Sequence, residues 1–190
     1  DVILYMTDQY EKNPAITIIT HRNYDRIDNV SVFLIASPII KKWHPQLTIG
    51  LQKQWMDIEH NSRMLSMDRP LFIGRFNNGI QFPYGWTLHV DLFFQGKGDF
   101  QNIYINKNVF MMDASLTKSF FDDRLSFNLQ GIDLTHGRKD GNVIYNKHMD
   151  LTVNNVTDSR EVRLTVRYKF NTTKNKYKGK GAAEEEIRRL

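Results

Sequence analysis

Two side chains in the sequence have the types and spacing of a small acid–base or metal site. His89 and Asp91 lie two residues apart in a stretch where polar and apolar residues alternate, so a strand would place both on one face. An imidazole and a carboxylate on one face can share a proton or supply two metal ligands. The alternative, which we favour, is that both are polar residues lining the interior of a β-structure. We therefore expect no catalytic residue, metal or cofactor, and we expect that the protein is not an enzyme.

The other reactive side chains do not form a recognisable motif. The chain has no cysteine, which excludes disulfides, thiolate ligands and cysteine nucleophiles. Gly96-Lys97-Gly98 lacks the remainder of a phosphate-binding loop. Five further histidines are scattered over predicted turns and loops without metal-ligand spacing: His21, His44, His60, His136 and His148.

The positive charge of the chain is concentrated in its last residues. Residues 171–190 contain six basic and three acidic side chains and therefore hold +3 of the formal charge of +5. The preceding 170 residues are nearly neutral, so we expect no nucleic-acid partner. Residues 171–190 are polar and rich in Lys and Gly, and we interpret them as a flexible tail that follows a structured region of residues 1–170.

Alternation of apolar and polar residues predicts an all-β, antiparallel fold. The clearest example is Val162 to Phe170, where apolar and polar side chains alternate over nine residues. We predict eight strands and no helix before residue 182; the strands lie near 15–21, 30–40, 47–55, 71–82, 87–95, 110–120, 125–130 and 162–170. The polar side chains that we expect to face the interior are Arg163, Thr165, Arg167, Lys169, Ser126, Asn128, Gln130, His89 and Asp91.

The basic side chains of the last predicted strand have two possible roles. Arg163, Arg167 and Lys169 would lie together on its polar face. Lining a lumen, they would steer anionic solutes, as charged pore linings do. Alternatively, they pair with carboxylates of the lumen or of a plug and serve packing only.

The predicted connections are sorted by length. Long ones, at about 22–29, 57–69, 96–108 and 135–161, alternate with short ones at 41–46, 83–86 and 121–124. Short turns at one end and long loops at the other are typical of an outer-membrane barrel. The count of eight strands requires that residues 149–153 form a separate hairpin inside the longest loop.

Aromatic residues collect beside the short turns. In a membrane barrel such residues form a girdle at one interface with the headgroups. The residues that we assign to this girdle are Trp43, Tyr84, Trp86, Phe120, Tyr168 and Phe170.

Several stretches resemble a known family. The closing run VRLTVRYKFN, followed by KNKYKGKGAAEEEIRRL, resembles the C-terminus of outer-membrane proteins of the TonB-dependent-receptor type from Gram-negative bacteria. Phe120 to Leu125, together with Gly131-Ile132-Asp133-Leu134, is similar to the penultimate strand of that family. The stretch from Trp43 to Leu51 is similar to the start of another of its strands.

The resemblance implies a fold and a function. The chain would be the last eight strands of an antiparallel, up-and-down barrel of about 22 strands in the outer membrane. Its partners would be membrane lipid, the rest of its own barrel, an N-terminal plug, and TonB, contacted through a part of the protein outside this sequence. The short turns would face the periplasm, with the last strand ending at Phe170 and residues 171–190 hanging below it. The implied function is TonB-dependent uptake of a solute.

Two other functions remain open at this point. One is an outer-membrane barrel with a structural or adhesive role and no transport. The other is a soluble β-sandwich that binds carbohydrate, although a sandwich gives no reason for connections to be sorted by length.

Overall fold

The protein is built from antiparallel strands and one short 3-10 turn. The computed structural model describes residues 2–170, apart from the side chains of Tyr5, Asp8 and Pro14. The strands are β1 (Val2–Tyr10), β2 (Asn13–Tyr24), β3 (Asp28–Ala36), β4 (Trp43–Trp55), β5 (Asp57–His60), β6 (Arg63–Ser66), β7 (Leu71–Phe82), β8 (Trp86–Gln95), β9 (Gly98–Phe100), β10 (Ile103–Ile105), β11 (Val109–Phe120), β12 (Leu125–Ile132), β13 (Lys139–Tyr145), β14 (Asp150–Val156) and β15 (Glu161–Tyr168). Within the described part of the chain, no helix is long and apolar enough to cross a membrane.

Seven of the strands form one sheet, which we call the main sheet. Its order is β15-β12-β11-β8-β7-β4-β3, and every neighbouring pair is antiparallel. Its strands are 8 to 13 residues long, close to the 9–11 tilted residues with which a strand crosses a bilayer. The predicted count of eight is not confirmed, because residues 15–21 belong to β2, whose one partner among the described strands is β1.

The two faces of the main sheet differ in the way that alternation predicts. Leu129 lies opposite Leu116 on one side and Leu164 on the other, and this row is apolar. The next row along, Thr117-Asn128-Thr165, is polar. The apolar face is open, with Leu129 51% and Leu164 65% exposed. Within residues 2–170, no second sheet covers it.

The main sheet is open at both edges. Within the described residues, β3 pairs only with β4 and β15 pairs only with β12, so the sheet does not close on itself. Every residue of these two edge strands is exposed. Two such edges, each with unpaired backbone groups, require a partner strand inside a membrane.

The long connections, together with the hairpin that precedes β3, form a second layer at one end of the main sheet. This loop layer consists of the hairpins β1–β2 and β5–β6 and a four-stranded sheet of order β14-β13-β10-β9. The largest buried apolar cluster of the described chain lies here and consists of Leu4, Met56, Ile58 and Met67. Residues 150–153 belong to β14, which pairs with β13 in this layer and not with a strand of the main sheet.

At the opposite end of the main sheet, the connections between neighbouring strands are short turns, at 37–42, 83–85 and 121–124. The first differs from the predicted 41–46, because Trp43 to Gln46 already pair with β7 as part of β4. Pro45 is tolerated there because β3 pairs with β4 only from Leu47 onwards, which leaves one side of β4 free at Pro45. The predicted long connection at 22–29 is also wrong, since β2 and β3 are joined by residues 25–27 alone.

Aromatic side chains surround the short turns. Trp86 lies directly opposite Phe82 at the ends of β7 and β8. The ammonium of Lys118 lies 5.1 Å from the ring centre of Trp86 and 5.0 Å from that of Phe120, and it donates to the carbonyl of Tyr84. Such a Lys among aromatic rings is typical of a membrane–water interface.

The last strand ends slightly before the predicted residue. β15 stops at Tyr168 instead of Phe170, although the N–H of Lys169 still donates to the carbonyl of Arg124 at 2.8 Å. The ring of Phe170 packs edge-on against that of Tyr168, with centres 4.6 Å apart. The predicted tail, 171–190, lies outside the described residues.

Candidate functional site

The polar face of the main sheet carries the side chains that the sequence assigns to an interior. Lys169 follows directly after β15. Register places the other eight of the nine on this face: Ser126, Asn128, Gln130, His89, Asp91, Arg163, Thr165 and Arg167. They are spread over three strands and do not form one cluster. Arg163 pairs with Glu161 of its own strand at 2.9 Å. Within the described part of the chain, it forms no ion pair with a carboxylate of another element.

Asp91 is matched with a different residue from the one that the sequence suggests. Its cross-strand neighbours on the polar face are Asn77 and Asp113, whereas His89 lies opposite Gly79 and Ser115. In the part of the chain that the structure describes, no hydrogen bond or ion pair joins His89 to Asp91. Among the described residues, no group of three or more His, Cys, Asp or Glu is arranged to hold a metal ion.

A small cavity, which we call the polar pocket, lies beside Asp91 and Asp113. Its volume is about 80 Å³, and the guanidinium groups of Arg75 and Arg138 also line it. Arg75 lies over the ring of Phe93, with 5.5 Å to the ring centre. Within residues 2–170, neither arginine forms an ion pair with either aspartate. The carboxylate of Asp113 accepts the backbone N–H of Asp133 at 2.7 Å, which ties the polar pocket to the residue that follows β12.

A larger cleft adjoins the polar pocket, and we call it the loop cleft. It has a volume of about 400 Å³ and lies between the main sheet and the four-stranded sheet of the loop layer. Most of its walls are apolar and its rim is charged; the lining residues used below are Phe100, Ile103, Ile105, Val109, Met111, Arg138, Lys139 and Asp140. Met111 and Arg138 line both cavities, so the two form one continuous region of the polar face.

The side chain that fixes this region is Asp133, the first residue after β12. Asp133 is 1% exposed, and its carboxylate accepts the N–H of Gly137 at 2.7 Å, the N–H of Arg138 at 3.4 Å and the hydroxyl of Ser159. Burial alone would raise the pKa of Asp133, but these hydrogen bonds outweigh it and hold the pKa below its ordinary value. The ionised carboxylate closes a tight turn that begins the longest connection.

The turn is pressed against β11. The N–H of Leu134 donates to the carbonyl of Met112 at 2.8 Å, and the hydroxyl of Thr135 donates to the carbonyl of Phe110 at 2.9 Å. A Cβ at position 137 would overlap that same Phe110 carbonyl, so only glycine allows the close approach. The turn therefore positions Arg138 at the boundary between the two cavities.

An ion pair between a buried carboxylate and a partly exposed guanidinium secures the opposite wall of the loop cleft. Asp99 is 1% exposed and receives the guanidinium of Arg69 at 2.9–3.0 Å and the N–H of Arg69 at 2.9 Å. Burial opposes the charge of Arg69, yet its hydrogen bond and charge pairing with Asp99 raise its pKa above the ordinary value. The guanidinium also lies 3.7 Å from the ring centre of Tyr104, which anchors β10 to the same cluster.

A buried amide makes a second attachment. The side chain of Gln54, at the end of β4, accepts the N–H of Gln101 at 2.7 Å and donates to its carbonyl at 2.7 Å. It also donates to the carbonyl of Met67 at 3.3 Å. The wall formed by β9 and β10 is therefore held in place by side chains of the chain itself.

Sequence reasoning missed five of the residues that build this region. Arg75 and Asp113 reach Asp91 only through the pairing of β7, β8 and β11, which spacing along the chain does not reveal. Asp133 falls within one of the family-like stretches, but only the structure gives it a role. Arg138 and Lys139 are adjacent basic residues in the longest connection, and this pattern in the sequence could have indicated a site for an anion.

Comparison with known proteins yields one match. Residues 1–168 match the family model described as an outer membrane protein beta-barrel family. The match ends at Tyr168, the last residue of β15, and so includes the whole main sheet and loop layer. No curated protein and no solved structure matches the chain.

Proposed function

The chain belongs to the outer membrane protein beta-barrel family, and from that premise we propose that its main sheet is part of the wall of a larger barrel that takes up a solute in a TonB-dependent way. The protein is located in the outer membrane. In the proposed orientation, the apolar face meets lipid and the polar face lines the lumen. The loop layer then lies outside the cell and the short turns face the periplasm of a Gram-negative bacterium.

The observation that carries the proposal is the inverted distribution of apolar side chains. The main sheet exposes its apolar face, while the principal buried apolar cluster of the described residues lies in the loop layer. An exposed apolar face of this extent is typical of contact with lipid. This distribution also argues against the soluble β-sandwich, which would have to cover that face with a second sheet.

The two open edges support a barrel with more strands than the seven described. In a bilayer, unpaired backbone groups cost several kcal/mol each, so barrels leave no free edge. We propose that β3 and β15 pair with strands supplied by the rest of the protein. The family resemblance favours a total of about 22 strands, a size that encloses a plug.

Transport is favoured over a purely structural role by the cavities on the polar face. A barrel wall that serves only structure needs no preformed cleft of about 400 Å³ at the mouth of its lumen. The plug and the segment that contacts TonB would belong to the part of the protein outside this chain. We propose that the chain itself contributes wall, lumen polarity and loops, and catalyses no reaction.

The test compares solute depletion from defined medium by three strains of the native host. These are the wild type, a strain lacking the full-length protein, and a strain that carries it but lacks TonB. The proposal expects at least one solute that the wild type removes and both mutants leave behind. If the strain lacking the protein depletes every solute as the wild type does, the barrel has no transport role and the structural or adhesive alternative is correct.

A further inference from the structure

We infer that the loop cleft is a binding site for a small amphipathic monoanion, a molecule with an apolar body and one carboxylate. The apolar body would lie between β11 and the four-stranded sheet of the loop layer, with the carboxylate at Arg138. The inference rests on the proposed function only in treating such an anion as the transported solute. Binding itself can be measured without transport.

The size and lining of the cleft define the body of the ligand. A volume of about 400 Å³ is in the range of sites for drug-sized molecules. Val109 and Met111 form its floor on the main sheet, and Phe100, Ile103 and Ile105 form the facing wall. Five apolar side chains on two opposed surfaces favour an alkyl or aryl group of several carbons over a sugar or an inorganic ion.

The charge at the rim defines the headgroup. Arg138 and Lys139 both line the cleft, and neither forms an ion pair with any described residue. The single carboxylate of the lining, Asp140, accepts a hydrogen bond from Asn155 at 3.0 Å. The rim therefore has a net positive charge, and the planar guanidinium of Arg138 matches a carboxylate in a two-bond arrangement.

The polar pocket limits the ligand to one negative charge. Arg138 also lines that pocket, where Asp91 and Asp113 lie opposite each other across two strands. Beyond Arg138 the pocket holds these two aspartates and the single positive charge of Arg75, so its net charge is negative and a second carboxylate that reached into it would be repelled. A monoanion bound with its head at Arg138 and its body in the loop cleft avoids this repulsion.

The test uses octanoate as the probe and the full-length protein in lipid nanodiscs. Equilibrium dialysis measures binding of octanoate and of its neutral analogue octanamide, with empty nanodiscs giving the background from lipid partitioning. We expect octanoate to bind more tightly than octanamide. Arg138→Gln should weaken octanoate binding about tenfold or more, as expected for the loss of a charged hydrogen bond, and leave octanamide unchanged.

Two further variants make the result specific. Arg160→Gln removes an exposed arginine of the same connection that does not line the loop cleft, and it should bind octanoate as the wild type does. Ile105→Trp fills the cleft and should reduce binding of both probes. A change of electrophoretic mobility on heating shows that each variant is folded.

Three results would overturn the inference: equal binding of octanoate and octanamide, equal effects of Arg138→Gln and Arg160→Gln, or no binding above empty nanodiscs. None of these affects the uptake proposal, because a barrel that transports another solute would still deplete that solute in a TonB-dependent way.

Discussion

Asp133 determines the position of Arg138 in the candidate site. It is almost fully buried, although Leu134 and Thr135 beside it are exposed. Its carboxylate closes the turn that places Arg138 between the loop cleft and the polar pocket. Asp133 is therefore a positioning residue, and its effect on a ligand would pass through Arg138.

Replacing Asp133 with Asn should destabilise the protein at neutral pH. The amide retains one acceptor oxygen but places an NH2 group toward the N–H groups of Gly137 and Arg138. The expected loss is about 1–3 kcal/mol. The measurement is the midpoint temperature at which the full-length protein loses its folded mobility on a gel. Asp123→Asn, an exposed position in the turn at the other end of the sheet, should leave this midpoint unchanged.

The same variant should lose its effect at low pH. The pKa of Asp133 in the folded state is depressed, so its contribution is fully present above the ordinary Asp pKa of about 3.9 and is lost as the pH falls through the folded-state value. The difference between wild type and Asp133→Asn should therefore be constant near neutrality and shrink below about pH 4. A difference that grows on acidification would contradict this role for the carboxylate.

At the scale of elements, alternation located strands well but did not assign them to sheets. The predicted stretches near 71–82 and 110–120 correspond closely to β7 and β11. The stretch 15–21 is also a strand, yet it belongs to the β1–β2 hairpin, where Leu4 packs into the loop-layer cluster. Alternation is a local signal and reports that a segment has two faces, whereas sheet membership depends on contacts that are distant in sequence.

The residues of the candidate site were harder to predict from local sequence patterns than the strands were. Alternation assigns His89 and Asp91 to the polar face, and register gives them the cross-strand partners Ser115 and Asp113. The charged residues that line the polar pocket together with Asp91, such as Asp113 and Arg75, belong to other strands. The Arg69–Asp99 pair that supports the loop cleft spans 30 residues, and no pattern within one element indicates such a pair.

Gly98 provides a test of how β9 is seated on the main sheet. A Cβ at position 98 would lie 2.6 Å from the carbonyl oxygen of Pro70 and 2.8 Å from the Cα of Leu71, and neither backbone atom can move aside. We expect Gly98→Ala to displace β9 and expose residues 96–108. Overpacking typically costs about 1–3 kcal/mol, so proteinase K cleavage in this segment of outer-membrane vesicles should rise about fivefold or more.

Gly74→Ala is the matched control for Gly98→Ala. Gly74 lies in β7, and a Cβ there would have ordinary contacts, the nearest at 3.6 Å to the ring of Phe72. Cleavage of this variant should match that of the wild type. Equal cleavage of both variants would mean that β9 is not held against the start of β7 as described.

At the scale of the whole molecule, the average composition is typical of a water-soluble protein, whereas the spatial arrangement of the side chains is typical of a membrane protein. A mean hydropathy of −0.50 is typical of water-soluble proteins. In the main sheet, lipid-type and water-type side chains alternate, so the average hides a continuous apolar face. The loop layer adds further polar residues and contains the largest buried apolar cluster of the described chain.

The central claim is that the apolar face of the main sheet meets lipid while the polar face does not. The most direct test attaches one spin label at a time to positions Val162 to Tyr168 of the full-length protein in bilayers. For each label, the collision rates with oxygen and with a water-soluble nickel complex are measured. We predict oxygen maxima at Val162, Leu164 and Val166 and nickel maxima at Arg163, Thr165 and Arg167. Rates without a two-residue period, or with the opposite phase, would contradict the claim.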